Sequence, residues 1–472
     1  MKASKALVTS ILLLCGVSLA QPGNPIPLVD QPLLPTSVAP GGPAFTLSVS
    51  GGNFVKNSAV AWNGKPLRTR FVSHTVLKAQ ITAAQIATES TASITVVNPA
   101  PGGGTSNVVF FPVRTSATSV QMQSQQLTAG TTDVAVADFN HDGKLDLAVV
   151  SGYTNGNMVG VDILLGKGDG AFLSPANYPT TSSPTSIAVG DFNGDGNADL
   201  VLANGNLYSI SVLLGKGNGT FGPAKDYKVS NLPIAGIAVG DFNRDGRLDL
   251  AIADNQYLWV MLGNGDGTFK APTVIWYRCC NSYTSAVVGD FNGDGIPDIE
   301  TNSFLGGGQG FAGVLLGNGD GTFQPPIASR DLFDATITVA ADLNGDGKLD
   351  LVMDAYLGVN YVMVLLGNGD GTFANGVLYP VPGGSFGLAV GDFNADGKLD
   401  VAVASNSGTG NASHSVNVLL GNGDGTFQPF TSFPATNFVR GLAGGDFTGD
   451  GSLDLAVATD GGTAIYLQPA NP

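Results

Sequence analysis

The chain has 472 residues, a net charge of −16 and only 12% charged residues, with 67 glycines and 26 prolines. Glycine is about twice as frequent as in an average globular domain and charge about half. The acidity is carried by 35 Asp against two Glu, Glu89 and Glu300, which excludes a mainly helical protein and fits an all-β, turn-rich one. Scarce Lys and Arg exclude nucleic acid as a partner, because phosphate counterions must be displaced by basic side chains.

The amino terminus reads as an export signal. Lys2 and Lys5 precede an apolar run, Ala6 to Val17, that is too short for a membrane span. Ser18-Leu19-Ala20 follows as a small-x-small cleavage site, so residues 1–20 are expected to be removed, Cys15 among them. No later stretch is long and apolar enough to cross a bilayer. A secreted monomer is expected, extracellular or periplasmic, without a transmembrane segment.

Residues 21–36 are Pro-rich and are expected to form a flexible lead-in. Residues 37–114 alternate apolar and polar residues in short runs: Phe45 to Ser50, Val60 to Trp62, Ser93 to Val97 and Val108 to Val113. Gly, Pro and Asn turns separate them, the pattern of a small β-sandwich. Ser37 to Gly42, Gly51 to Phe54, Ala61 to Gly64 and Asn98 to Gly104 resemble an IPT/TIG immunoglobulin-like domain. That resemblance implies a spacer or interaction module without chemistry of its own.

From residue 115 to 472 one acidic motif, Asp-x-Asn-x-Asp-Gly-x-x-Asp, recurs seven times at intervals of about fifty residues. A period of that size signals a repeat architecture. In the first loop Asp138, Asn140, Asp142 and Asp146 can converge on a cation together with the carbonyl of Lys144. The second has Asp191, Asn193, Asp195, Asp199 and the Asn197 carbonyl; the third Asp241, Asn243, Asp245, Asp249 and that of Arg247. The fourth has Asp290, Asn292, Asp294, Asp298 and the Ile296 carbonyl; the fifth Asp342, Asn344, Asp346, Asp350 and that of Lys348. The sixth has Asp392, Asn394, Asp396, Asp400 and the Lys398 carbonyl. The seventh departs from the pattern: Asp446, Asp450, Asp454 and the Ser452 carbonyl are joined by Thr448, a poorer ligand than Asn.

Such a donor set is all oxygen and suits a hard ion such as Ca²⁺. Up to seven structural Ca²⁺ would offset most of the negative charge, and without them the crowded carboxylates repel one another. An EF-hand is excluded, because position 12 is Val149, Leu202, Ile252, Thr301, Met353, Val403 or Val457 rather than Glu. Each loop instead joins two predicted strands. A third strand ends in Leu-Leu-Gly or a near match, and a Gly-x-Gly-Asp-Gly turn leads to Thr-Phe and a fourth strand. That turn lacks converging carboxylates and reads as a glycine hairpin turn. Phe139, Phe192, Phe242, Phe291, Leu343, Phe393 and Phe447, at position 2 of the loops, are expected to pack one unit on the next.

Four short strands per unit is the anatomy of a propeller blade. Asp191 to Gly196 with Asp199, followed by Leu213 to Phe221, resembles the FG-GAP/VCBS repeats that build the integrin α-subunit propeller. The resemblance implies a calcium-supported seven-bladed β-propeller used for extracellular recognition. The seventh repeat lacks a fourth strand after Thr463 to Leu467, and Ser119 to Leu127 is expected to supply it and close the ring.

Catalytic groups are sparse. The three histidines, His74, His141 and His414, fall in the sandwich, in a loop position and in a Ser/Gly-rich loop expected to be solvated. Asp331 and Asp334 are the one close acidic pair outside the loops and turns. No enzyme is expected; the alternative is a lyase or hydrolase acting on extracellular polysaccharide. The adjacent Cys279 and Cys280 form either a vicinal disulfide or two free thiols. Loops opposite the acidic ones carry Tyr153, Tyr257, Tyr277, Arg278, Phe304, Arg330, Tyr356 and Arg440. These are candidate contacts for a protein or glycan ligand.

Overall fold

A computed structural model describes residues 23–468 except 118, 128–130, 152–158, 206, 278–281, 305–309, 333–334, 336, 357–359 and 407–413. The export signal and the Cys279–Cys280 pair lie outside the described residues. Among the described residues one 3-10 turn, Ala83–Ile86, is the only helical element; the rest is strand and turn. No helix is long and apolar enough to cross a membrane.

From Gln123 onward the strands form seven antiparallel four-stranded sheets. In the second repeat Ser186–Gly190, Asp199–Asn204, Ser209–Leu213 and Lys225–Lys228 pair in chain order. The second and third of these are buried at every residue, because neighbouring sheets cover both faces. The second runs Leu200 to Ala203 without a polar break, whereas the third keeps Ser209 and Ser211 among its apolar residues, and Ser211 Oγ donates to Asp226 Oδ1 at 2.6 Å. First strands of successive sheets touch one another from Thr131–Ala137 round to Val439–Gly445, which touches Thr131–Ala137 again. The sheets therefore close into a β-propeller-like ring. Its last sheet borrows its fourth strand: Gln123–Gln126 pairs with Gly462–Leu467 in the register Gln123 to Leu467 and Gln126 to Ala464. This is the pairing expected from the sequence, and it removes two unpaired edges.

One device recurs at five of the seven junctions between sheets. The position-2 ring packs edge-on against the Thr-Phe ring of the following repeat: Phe139 on Phe221 at 5.5 Å, Phe192 on Phe269 at 5.7 Å, Phe242 on Phe323 at 5.5 Å. The carbonyl of the same residue accepts an N–H from the next repeat's glycine turn, as between Gly219 and Phe139 at 2.9 Å. Phe447 and Gly170 make the same contact where the ring closes, at 2.8 Å. Each ring pair contributes about 0.5–1.5 kcal/mol beyond area burial.

Residues 23–114 fold as two sheets facing over one core. Leu28–Val29, Phe45–Gly52, Val76–Ile81 and Thr69–Phe71 form one. Lys65–Pro66, Ala59–Trp62, Ser90–Asn98, Gly104–Thr105 and Val109–Val113 form the other. Leu47, Phe54, Leu77, Ile94 and Phe111 are wholly enclosed between them. The Pro-rich stretch is not the flexible lead-in that its composition suggests. Leu28 and Val29 pair with Gly52 and Gly51, and Leu34 and Val38 bridge to Ser48 and Val113. Val29 and Leu33 fill the core. The apolar residues between the prolines decide the outcome, since burying each is worth about 1.5–3 kcal/mol, and Pro is tolerated in edge strands.

Candidate functional site

In the first six repeats the acidic loop and the glycine turn emerge at one end of the sheet, because antiparallel strands return their odd hairpins to the same side, and the seventh acidic loop emerges there too. The seven acidic loops therefore ring one face of the propeller. Loop geometry is nearly identical in each. Asp191 Oδ1 accepts the N–H groups of Gly194 at 2.7 Å and Asp195 at 3.1 Å, and its Oδ2 accepts that of Gly196 at 2.9 Å. Asn193 Oδ1 also accepts from Asp195 N–H, at 2.9 Å. Gly196 has φ +85°, a conformation that glycine adopts without strain.

The ninth-position aspartate has a role that sequence reasoning missed. Asp199 is fully buried; Oδ2 accepts Phe192 N–H at 2.9 Å and Oδ1 accepts Gly215 N–H at 2.7 Å. Asp146, Asp249, Asp298, Asp350 and Asp400 repeat this pair of bonds, and Asp454 accepts from Phe447 and Gln468. Each thus ties the loop's start to the end of the third strand. The sequence carries no signal for it, because every residue that is not proline offers a backbone N–H and only the register of the third strand selects the one used.

Burial, followed by the neighbouring carboxylates of positions 1 and 5, pushes these groups up against the pull of their backbone donors. Asp146 rises to about 6, Asp199 to about 7, and Asp249, Asp298 and Asp454 to about 8. Position 7 supplies partial relief: Arg247, Lys348 and Lys398 reach Asp245, Asp346 and Asp396 at 3.6–3.8 Å. Among the described residues no three His, Cys, Asp or Glu side chains are drawn together as a metal cluster. The donor set is nonetheless all oxygen and net negative, and each carboxylate oxygen that holds one N–H keeps a further lone pair. Both features fit a hard cation.

The sandwich unit, with its own two sheets and core, lies against this face. Ile26 N–H donates to Asp241 Oδ2 at 2.7 Å. Asn53 N–H donates to Gly295 O at 2.9 Å, and Asp342 N–H to Gln31 O at 2.8 Å. Ser37 Oγ donates to Ala395 O at 3.2 Å. Asp30, pushed up to about 8 by burial and then by Asp290, stands beside the fourth loop. A Cβ on Gly451 would strike Ser90 and Val113. A cavity of about 320 Å³ lies where Leu33 and Phe110 approach Val136, Leu388 and Leu442 of the first strands.

The Gly-x-Gly-Asp-Gly segments are hairpin turns. Asp266 Oδ1 accepts Thr268 N–H at 3.0 Å, while Asn264 N–H donates to Thr268 O at 2.9 Å. On the opposite face Tyr257 is half-buried against Trp259, with ring centroids 5.5 Å apart. Arg440 is exposed, paired with Asp460 and stacked 5.1 Å from Phe438. Phe304, Arg330 and Tyr356 stand on strands Asp298–Phe304, Ile327–Leu332 and Asp350–Tyr356, as does Asp331 on the second of these. Tyr153, Arg278 and Asp334 lie outside the described residues. His414 is not in a solvated loop; it begins strand His414–Leu419, half-buried, with Nδ1 3.0 Å from Asn406 Oδ1.

The model of the FG-GAP-like repeat matches residues 138–202, 192–252, 241–299, 355–403 and 392–457, more than half of the chain. No curated protein matches it. Among solved structures, an Agrocybe aegerita lectin that recognises non-reducing terminal N-acetylglucosamine is 19% identical, covers 79% of this chain and 95% of its own, and has a TM-score of 0.45. An auxiliary nutrient binding protein from Bacteroides ovatus is 10% identical, with 94% and 98% covered and a TM-score of 0.40. A protein from Lactobacillus plantarum is 12% identical, with 88% and 100% covered and a TM-score of 0.46.

Proposed function

Because the chain belongs to the FG-GAP-like repeat family, we propose that it is a secreted, calcium-binding recognition module. In this reading it is a seven-bladed β-propeller behind an IPT/TIG-like spacer. Up to seven Ca²⁺ occupy the acidic loops in a structural role. A protein or glycan ligand is held by the opposite face without being turned over, and the protein acts as a monomer.

The observation that carries this reading is the position of the sandwich. It occupies the acidic-loop face, so the ends of the sheets between second and third strands and after fourth strands are the ones left for a large ligand. Rigid frameworks commonly present binding residues on such variable loops, and aromatic and Arg side chains dominate binding hot spots. Tyr257 and Arg440 stand on that face, Arg440 with its guanidinium exposed.

The test is capture by the purified full chain on arrays of glycans and extracellular proteins, with Ca²⁺ and with EDTA. Alanine at Tyr257, Arg278 and Arg440 should weaken capture about tenfold or more and leave the calcium-dependent Tm unchanged. Depolymerisation of a polysaccharide by the pure protein, lost in Asp331→Ala or Asp334→Ala, would replace this reading with an enzymatic one.

A further inference from the structure

The seam between the fourth and fifth sheets departs from the rule that the other repeats follow. Two residues after the ninth-position aspartate, six repeats carry Ala148, Val201, Ala251, Val352, Ala402 and Ala456; the fourth carries Glu300. Two residues further on, Asn302 stands where five repeats have Val150, Ala203, Ala253, Ala404 and Ala458, and the fifth repeat has Asp354, whose Oδ1 accepts Ile337 N–H at 2.7 Å. On the facing first strand of the fifth sheet, Thr338 occupies the register position of Val134, Ile187, Ile237, Ala286, Leu388 and Leu442. Three polar replacements have gathered at one place in an otherwise apolar layer.

Glu300 and Asn302 have no exposed surface. Asn302 Nδ2 donates across the seam to Thr338 Oγ1 at 2.6 Å. Burial pushes Glu300 up to about 8, and the Thr338 hydroxyl pulls only weakly the other way, so without a cation the carboxyl keeps its proton at neutral pH. Neither carboxyl oxygen of Glu300 completes a hydrogen bond, and Asn302 Oδ1 has no partner either. None of the four ion pairs among the described residues involves Glu300. The same seam is packed with Val314, Leu351 and Met353, which offer nothing polar. Buried acceptors are almost always satisfied, and a buried charge is paired or coordinates a metal. Three orphan acceptors in one seam call for something that engages them: a proton on Glu300, or a cation that displaces it.

We propose that Glu300, Asn302 and Thr338 form a buried site for a monovalent metal cation of the sodium class. Their free groups are two carboxylate oxygens, an amide oxygen and a hydroxyl oxygen with a lone pair to spare, a set suited to a hard ion. Charge selects the valence. One carboxylate neutralises one positive charge, whereas Ca²⁺ would leave net charge in an apolar layer, where it is costly. The site lies inside the sheets and draws on neither the acidic loops nor the opposite face.

The full chain is melted in saturating Ca²⁺, so that the acidic loops are constant, while NaCl replaces choline chloride at fixed ionic strength. The wild type should gain roughly 2–4 °C in Tm as sodium fills the site, and Glu300→Gln should show no gain. Equal sodium responses in the two proteins, or none in the wild type, would overturn the proposal. Should Glu300→Gln fail to fold, wild-type crystals soaked in thallium(I) decide the matter. An anomalous peak between Glu300 and Asn302 supports the site, and a seam without one removes it.

Discussion

The first two acidic loops and the other five share one motif but not one environment. Position-1 aspartates of the third to seventh loops, Asp241, Asp290, Asp342, Asp392 and Asp446, are 2–8% exposed, whereas Asp138 and Asp191 are half-exposed. The difference comes from the sandwich and its Pro-rich strand, which touch the third to seventh loops and leave the tips of the first and second open. A Cβ added at Gly143, Gly194 or Gly196 would meet nothing; one on Gly246 would strike Asn24 and Gly102. Burial shows in the ninth-position carboxyls too: about 6 and 7 for Asp146 and Asp199, about 8 for Asp249, Asp298 and Asp454. The fifth loop is instructive. Its base is covered by Gln31, but Gly345 and Gly347 are open, and Asp350 stays at about 6. An identical cage thus acquires different properties from what lies over it.

The largest expected effect is loss of cation from all loops at once. If each is a structural Ca²⁺ site, EDTA should lower the Tm of the full chain by more than about 10 °C, since a ligand at ten times its Kd stabilises by about 1.4 kcal/mol per site. Stopped-flow release into a fluorescent chelator should resolve two fast ions and a slower group of five. A single phase for all seven would break the comparison, and an unchanged Tm would remove the structural role.

A smaller effect separates the two jobs of the carboxylates. Asp298→Ala leaves the buried N–H groups of Phe291 and Gly317 without acceptors, and should cost about 2–5 kcal/mol by urea unfolding in EDTA. Asp142 is exposed and accepts only from Lys144 N–H, so Asp142→Ala should stay within about 0.5 kcal/mol under the same conditions. Equal costs would mean that position 9 acts only through the cation.

Much of this molecule was legible beforehand, for reasons that can be named. The period of about fifty residues, the four strands per repeat and the borrowed strand Gln123–Gln126 all follow from local patterns repeated seven times, and a repeat averages out accidents of propensity. Position-2 rings were readable as packing because every copy is large and apolar. What the sequence did not display is long-range. Nothing in Pro25-Ile26-Pro27 announces that its one N–H will meet Asp241, 215 residues away. Composition read that stretch as a linker because prolines dominate it, while a few buried apolar side chains decide where it packs. The buried Glu300 was visible as one of two glutamates, yet only the register across the seam brings it to Asn302 and Thr338.

The most local effect concerns a single backbone donor. Ile26 lies between two prolines and so already has an extended backbone, and its N–H reaches Asp241 Oδ2 at 2.7 Å in the third loop. Ile26→Pro deletes that donor while holding φ in the range that extended backbone tolerates. Asp241 would still accept from Asp245 at 3.0 Å and Gly246 at 2.9 Å, so the loop should keep its shape. The loss of one hydrogen bond to a charged group is worth about 1.5–3 kcal/mol, less whatever water recovers, and part of the buried side chain goes with it. Overall stability should fall by about 1–2 kcal/mol. The diagnostic reading is kinetic: one ion should move from the slow group to the fast one, giving three fast and four slow. If the five slow ions accelerate together, the sandwich covers its loops as a single lid. If none moves, cover by backbone contact is not what distinguishes the loops, and the difference must lie in their own residues.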